Sequence, residues 1–179
     1  MSQYKTKNSP KSSLWRLALR LCGIHLASAL ITFLAFFGAY EIFKNHVASW
    51  AFTAISSFLG CLYFICMAYR MPELLGKKDY NYVKYNRISE FPLKGLYAGL
   101  LAEVPFVLLF IASVLRASEG LTLAIMFANL NFGWMYSLMG NVWGLIPSAI
   151  TITLAWAGYR NGYRRIDIFG KIIYKKRKD

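Results

Sequence analysis

The chain has 179 residues, of which 57% are hydrophobic and 17% aromatic, and its formal net charge is +13. The apolar residues come in runs of about 20, the length that a helix needs to cross ~30 Å of hydrocarbon, which excludes an ordinary soluble domain. A charge of +13 would suit nucleic acid, but the basic residues lie between the apolar runs, as in membrane proteins. We therefore expect an all-α integral membrane protein that binds no nucleic acid.

The first two membrane spans are predicted at residues 21–43 and 47–69. The first run follows a basic segment, as the apolar part of a signal peptide does, but it exceeds the ~7–15 residues of such a part, and more runs follow. We therefore expect it to be retained as a span. Residues 70–94, bracketed by Pro72 and Pro92, are predicted to form a cytoplasmic loop after the second span.

The third span, predicted at residues 95–115, contains an acid and a proline, Glu103 and Pro105. At ~1.5 Å per residue, Glu103 lies ~12 Å beyond Gly95, near the middle of the hydrocarbon. A charged acid at that depth costs roughly 2.5–3.5 kcal/mol on insertion scales. Pro105 leaves the carbonyl of Leu101 without its usual donor and predicts a kink. Glu103 and Pro105 are therefore candidate functional residues.

Residues 121–140 are apolar but are interrupted by the sequence NLNFG, Asn129 to Gly133. We predict an external interfacial or re-entrant segment that turns at these residues, because non-helical backbone at membrane depth must be buried in protein or line a cavity. The fourth span is predicted at residues 142–159, followed by a basic tail, residues 160–179. The alternative is a fifth crossing by residues 121–140, which would place that tail outside.

The distribution of basic residues predicts the orientation. Of the 21 Lys and Arg residues, 19 lie in the three segments 1–20, 70–94 and 160–179. Basic residues concentrate on the cytoplasmic side of membrane proteins. The prediction is a four-helix transmembrane bundle with both termini cytoplasmic, in the plasma or cytoplasmic membrane.

Small residues at helical spacing are predicted to pack the spans against each other. Helices in lipid associate through close packing and interhelical hydrogen bonds, since lipid does not drive them together as water does. Gly95 and Gly99 lie on the same face as Glu103, so another backbone can approach the acid. The candidate packing residues are Gly95, Gly99, Gly144, Gly158 and Gly162. A hydrated pathway lined by hydroxyls on the same faces is the alternative.

The partner expected for Glu103 is His25, on the small-residue face of the first span. They are the two ionisable side chains predicted to lie well inside the spans. The acid either forms a structural hydrogen bond with His25, a Ser or a Thr, or it handles a proton or a cation.

Basic side chains interleaved with tyrosines are predicted to contact anionic headgroups on the cytoplasmic side. Binding of nucleobases is the weaker alternative, because a short tethered loop lacks the β platform of most single-strand binders. The predicted lipid contacts are Lys77, Lys78, Lys84, Arg87, Lys175, Lys176, Arg177 and Lys178.

The sequence contains no familiar catalytic motif and no Cys or His pair at metal-binding spacing, so we expect no enzyme, no cofactor and no metal. The function favoured is a non-catalytic accessory or interaction subunit that associates with itself, as a homo-oligomer, or with a larger membrane complex. The alternative is an oligomeric proton- or cation-linked transporter or channel subunit that uses Glu103. A membrane enzyme ranks third.

Overall fold

The computed structural model describes residues 10–43, 49–116, 119–135 and 144–166, and the chain is helical through most of these ranges. The elements in chain order are α1 (Pro10–Phe43), α2 (Ser49–Lys84), α3 (Lys94–Arg116), α4 (Glu119–Ala128), a 3₁₀ helix (Leu130–Met135) and α5 (Ile146–Tyr163).

Three of these helices are long and apolar enough to cross a membrane, over Ser13–Gly38 in α1, Thr53–Lys84 in α2 and Lys94–Leu115 in α3. Large apolar side chains also cover the outside of the bundle; Leu115, for example, is 78% exposed. Both observations support the predicted class, a helical membrane protein. The fourth predicted span corresponds largely to α5, which has 18 residues and is not one of these three helices, so the number of spans stays a prediction.

Helix α2 is longer than the sequence indicated. It continues through Pro72, which is buried, to Lys84. Residues 70–94 are predicted to form a loop bracketed by Pro72 and Pro92, and a proline inside a helix removes one helical hydrogen bond. The interface with α5 explains the continuation: a Cβ at Gly76 would overlap the backbone of Tyr159, so the two helices remain in close contact beyond the proline.

Helix α2 ends in a Schellman motif. Asn86 has a positive φ of 53°. Its N–H donates to the carbonyl of Val83 (2.9 Å), and the N–H of Arg87 donates to the carbonyl of Tyr82 (2.8 Å). Asn tolerates this left-handed conformation better than most residues. The connection to α3 is therefore only residues 85–93.

Helix α3 agrees with the predicted third span to within a residue at each end. It is assigned as one continuous helix with Pro105 inside it, and Pro105 is exposed on the outward side of the bundle. Glu103, two residues earlier, points inward and is 1% exposed. The acid and the proline therefore lie on different faces of the helix.

The interruption predicted at residues 129–133 is present. Helix α4 ends at Ala128, and after Asn129 the chain forms the 3₁₀ helix. The N–H of Asn129 donates to the carbonyl of Ile125 (3.0 Å), and the N–H of Phe132 donates to the carbonyl of Asn129 (2.9 Å). Asn129, Asn131 and Phe132 are all buried, so this non-helical backbone is covered by protein, as lipid requires.

The predicted glycines lie where helices touch closely. An added Cβ would overlap the backbone of Ala155 at Gly95, of Ile152 at Gly99, of Tyr69 at Gly158 and of Glu73 at Gly162; at Gly144 it would meet the Phe110 ring. Helix α5 is therefore held against α2 and α3 at backbone distance. This proximity brings Ser148 of α5 to the acid on α3.

Candidate functional site

The two predicted intramembrane ionisable residues meet at the centre of the bundle. The Nδ1 atom of His25, on α1, lies 3.0 Å from the Oε1 atom of Glu103, on α3. Their side chains are 0% and 1% exposed. The expected contact between His25 and Glu103 is therefore present, and it joins the two helices directly.

Two further residues complete this buried network. Ser148, on α5, donates its hydroxyl to Oε2 of Glu103 (2.7 Å). The Oδ1 atom of Asn129 lies 3.0 Å from Nε2 of His25. The Nδ2 of Asn129 donates to the carbonyl of Ile125 (3.2 Å). We name the four residues Glu103, His25, Ser148 and Asn129 the central network; it connects α1, α3, α5 and the break after α4.

Two phenylalanine rings fix the orientation of the imidazole. The ring of Phe106 stacks on that of His25, with centroids 4.0 Å apart and an interplanar angle of 22°. The ring of Phe64 meets it edge-on, with centroids 5.3 Å apart. Because both rings exclude water and limit rotation, each imidazole nitrogen keeps its partner.

The geometry of the central network defines its proton content. Both nitrogens of His25 face oxygen atoms that accept hydrogen bonds. Nε2 must therefore donate to Asn129, and one further proton must lie between Nδ1 and Glu103. If that proton is on the imidazole, the residues form an ion pair; if it is on the carboxyl, both are neutral. In either case the net charge is zero, which avoids the cost of an isolated carboxylate in lipid.

Polar contacts continue from the central network along α1. Ser28 donates its hydroxyl to the carbonyl of His25 (2.7 Å) and accepts a hydrogen bond from Nδ2 of Asn131 (3.1 Å). Thr32 donates to the carbonyl of Ser28 (3.0 Å). The small polar face predicted on the first span thus bonds to its own backbone and to the 3₁₀ segment.

A second buried polar cluster was missed by the sequence analysis. Asp79, on α2, accepts hydrogen bonds through Oδ2 from Nζ of Lys94 and from the hydroxyl of Tyr159 (3.0 Å). Asp79 and Lys94 are 4% and 1% exposed. Both lie in residues 70–94, which are predicted from the sequence to form a cytoplasmic loop. Lys94 counts there only as one of the basic residues that predict the orientation in the membrane. Because α2 continues past residue 69, Asp79 lies on a helix face that packs against α5.

Glu73 is likewise buried rather than in a loop. Its Oε2 lies 2.7 Å from Nη1 of Arg70, and its Oε1 lies 2.8 Å from Nζ of Lys77. Both cations are on the same helix, three residues before and four residues after the acid. Charges at this spacing stabilise a helix, so the pairing compensates a carboxylate that is 0% exposed.

The residues predicted to contact anionic lipid fall into three groups. Lys77 is paired with Glu73. Lys78, Lys84 and Arg87 are exposed, and the first two lie over the rings of Tyr82 (5.6 Å) and Tyr85 (5.9 Å). Lys175, Lys176, Arg177 and Lys178 lie outside the described residues, so their lipid contact stays a prediction.

Helix α5 ends beside α2. Arg165 has a positive φ of 56°, which is unusual for a bulky residue. Its guanidinium lies 4.5 Å from the ring centroid of Tyr80 and donates to Oδ1 of Asn81 (2.8 Å). These contacts tie the ends of the two helices together.

Two cavities lie elsewhere in the described bundle. One, of about 230 Å³, has a mixed lining of apolar and charged side chains and lies between the first turns of α1 and the last turns of α2. The other, of about 500 Å³, is mainly apolar and lies between α1, α2 and α4. Neither is lined by Glu103 or His25. Both of these side chains are buried, at 1% and 0% exposed.

Within the described ranges, no three His, Cys, Asp or Glu side chains are grouped so as to hold a metal ion. Comparison of the chain with protein families, with curated proteins and with solved structures found no match. The fold and the site therefore define a class only: a helical membrane protein whose centre is a buried, charge-neutral polar network.

Proposed function

We propose that this protein is a non-catalytic accessory or interaction subunit that associates with itself or with a larger membrane complex. The observation that carries the proposal is the closed central network. Both carboxyl oxygens of Glu103, both nitrogens of His25 and both amide atoms of Asn129 are used within the bundle. A substrate or ion would have to displace these partners, so the network supports a role in holding four elements together.

The proposed arrangement in the membrane has four spans, α1, α2, α3 and α5, with both termini cytoplasmic. The exposed Lys78, Lys84 and Arg87 lie near one end of the bundle, and Arg160 and Arg165 lie at the same end of α5. This basic end favours the cytoplasmic side. The α4 segment then lies on the external side, as an interfacial or re-entrant element.

Labelling of single cysteines tests this orientation. In a background without Cys22, Cys61 and Cys66, a cysteine at position 87 or at the C-terminus should react with an impermeant maleimide only after the cells are opened. A cysteine at Ser118 should react in intact cells. Reaction of the C-terminal cysteine in intact cells would rule out the four-span arrangement in favour of five crossings.

Purification under mild conditions tests the accessory role. The protein is crosslinked reversibly in cells, solubilised in a mild detergent and purified. Either a second copy of the chain or another integral membrane protein should co-purify with it in a constant ratio. Proteoliposomes of the purified chain alone should conduct no more protons or monovalent cations than empty liposomes. A monomer with no stoichiometric partner, together with measurable flux, would contradict the accessory role.

The second candidate function is an oligomeric proton- or cation-linked transporter or channel subunit. One observation favours it. A single proton between Nδ1 of His25 and Oε1 of Glu103 can move from one atom to the other while every residue of the central network keeps its hydrogen-bond partners. If such a step is used, Glu103→Gln should abolish flux, because an amide cannot exchange the proton. A flux unchanged by this substitution would exclude Glu103 from transport.

A further inference from the structure

The larger of the two cavities, between α1, α2 and α4, has walls suited to an apolar molecule. Its volume of about 500 Å³ lies within the roughly 300–1,000 Å³ of small-molecule sites. The ring of Phe33 contacts those of Phe37 (centroids 4.5 Å apart) and Phe127 (5.4 Å), so an aromatic wall continues from α1 to α4. Phe127 and Leu123 are 48% and 66% exposed. The lining therefore reaches the outer surface of the bundle, from which a molecule dissolved in the bilayer can enter.

The polar part of the described lining carries no charge. It consists of four residues with hydroxyl groups, Thr32, Thr53, Ser56 and Ser57. Thr32 lies on α1, whose candidate span ends at Gly38, so at ~1.5 Å per residue it is ~9 Å inside that end. A charged headgroup drawn to this depth would lose its hydration and would meet no opposite charge in this lining, which is costly. The lining therefore favours an uncharged ligand.

The hydroxyl of Thr32 is available to a ligand only as an acceptor. It donates its proton to the carbonyl of Ser28 (3.0 Å), and a hydroxyl has one proton to donate, whereas its oxygen keeps lone pairs that can accept. The side chain of Thr32 is 2% exposed, so bulk solvent does not supply a donor. A ligand that binds at this end of the cavity must therefore donate a hydrogen bond.

A second acceptor lies beside Thr32. A Cβ added at Gly60, on α2, would overlap the hydroxyl of Thr32 and would lie 3.2 Å from Cβ of Asn131, so both side chains pack against the same glycine. Asn131 follows Leu130, which lines the cavity, and its Nδ2 donates to Ser28. Its Oδ1 is buried and has no hydrogen-bond partner among the described residues. A buried acceptor without a donor is destabilising, so this oxygen indicates that a bound molecule supplies one.

We infer that this cavity binds an uncharged, lipid-soluble molecule that carries a hydroxyl group, an alcohol or a phenol. Its apolar body lies against the aromatic wall, and its hydroxyl donates to Oγ1 of Thr32 or Oδ1 of Asn131. Apolar walls alone would accept any acyl chain, so the two acceptors make the hydroxyl the feature that selects the ligand. The inference does not depend on whether the protein is an accessory subunit or a transporter.

Photolabelling in vesicles tests the site. The full chain is reconstituted in phosphatidylcholine vesicles with a long-chain alcohol that carries a diazirine in its chain, and after irradiation the adducts are located by mass spectrometry. They should concentrate at residues 32–37 and 123–130 and should decrease when unlabelled alcohol is added, because a site saturates and bulk lipid does not. The methyl ether of the same probe cannot donate and should label these residues about fivefold less, the usual effect of one hydrogen bond. Equal labelling by the alcohol and the ether would overturn the inference.

Two substitutions at Thr32 isolate the hydroxyl. Thr32→Ala and Thr32→Ser both remove a methyl group, but only serine keeps the hydroxyl. T32S should retain the preference for the alcohol over the ether, whereas T32A should lower this preference severalfold. A similar loss of preference in both variants would mean that the hydroxyl at this position does not recognise the ligand, and the assignment would fail.

Two tryptophan substitutions isolate the cavity. Leu123, on α4, lines the cavity, and Leu108, on α3, does not. They are 66% and 59% exposed, so both variants should fold. L123W should narrow the cavity and lower the labelling of residues 32–37 by the alcohol and the ether alike, whereas L108W should leave it unchanged. Equal effects of the two substitutions, or no effect of L123W, would overturn the site.

Discussion

Glu103→Gln should leave the free energy of unfolding within about 1 kcal/mol of wild type, whereas Glu103→Ala should lower it by about 3–5 kcal/mol. A glutamine can direct its amide N–H₂ to Nδ1 of His25 and its carbonyl oxygen to the hydroxyl of Ser148. It reproduces the neutral form of the network, in which the carboxyl carries the shared proton. Alanine leaves both partners unpaired in a buried site.

The measurement is reversible unfolding in mixed micelles of a mild and a denaturing detergent. Val104→Ala is the matched control, because Val104 is the next residue of α3 and is 47% exposed. It should change the free energy of unfolding by less than about 1 kcal/mol. If Gln proves as destabilising as Ala, the proton between the two residues must normally lie on the imidazole, and the bundle would require the ion pair.

The α2–α5 interface should be similarly intolerant of a single methyl group. Gly158→Ala and Gly162→Ala should each lower the free energy of unfolding by about 1–3 kcal/mol, the usual cost of overpacking. The new Cβ atoms would overlap the backbones of Tyr69 and Glu73. Backbone cannot move aside as a flexible side chain can, so the helices must separate.

Gly23→Ala provides the control for this prediction. Gly23 lies within α1, and a Cβ there would meet nothing within 4 Å. The substitution should be neutral or should stabilise the protein by up to about 1 kcal/mol, because alanine has the higher helix propensity. Unfolding in the same mixed micelles compares all three variants. A similar loss at Gly23 and Gly158 would mean that the close approach of α2 and α5 does not control stability.

Much of the fold could be predicted because a segment that crosses lipid must be apolar over a known length and because burying a charge there is costly. The bounds of α3 followed from one continuous apolar run, and the break near Asn129 followed from two amides and a glycine in another. The contact between His25 and Glu103 followed from the scarcity of ionisable groups at that depth. Each of these features is set by local composition and by the cost of burying charge.

The features that could not be predicted depend on contacts between distant segments. The continuation of α2 through Pro72 depends on Gly76 meeting α5, and the burial of Asp79 depends in turn on that continuation. In the sequence alone, Asp79 and Lys94 are charged residues near prolines, as in any cytoplasmic loop. The contact between Asn129 and His25 could not be predicted, because it depends on the path of the chain after α4.

The one-proton bond between His25 and Glu103 also bears on how the chain is assembled during synthesis. Helices α1 and α3 leave the ribosome separately, with 78 positions between these two residues. Each can enter hydrocarbon in its uncharged form, a neutral imidazole or a protonated carboxyl, so that neither insertion carries the cost of a buried charge. When the helices meet, they already hold the proton that their bond requires. Docking can therefore proceed inside the bilayer, with no exchange of protons with the aqueous phases.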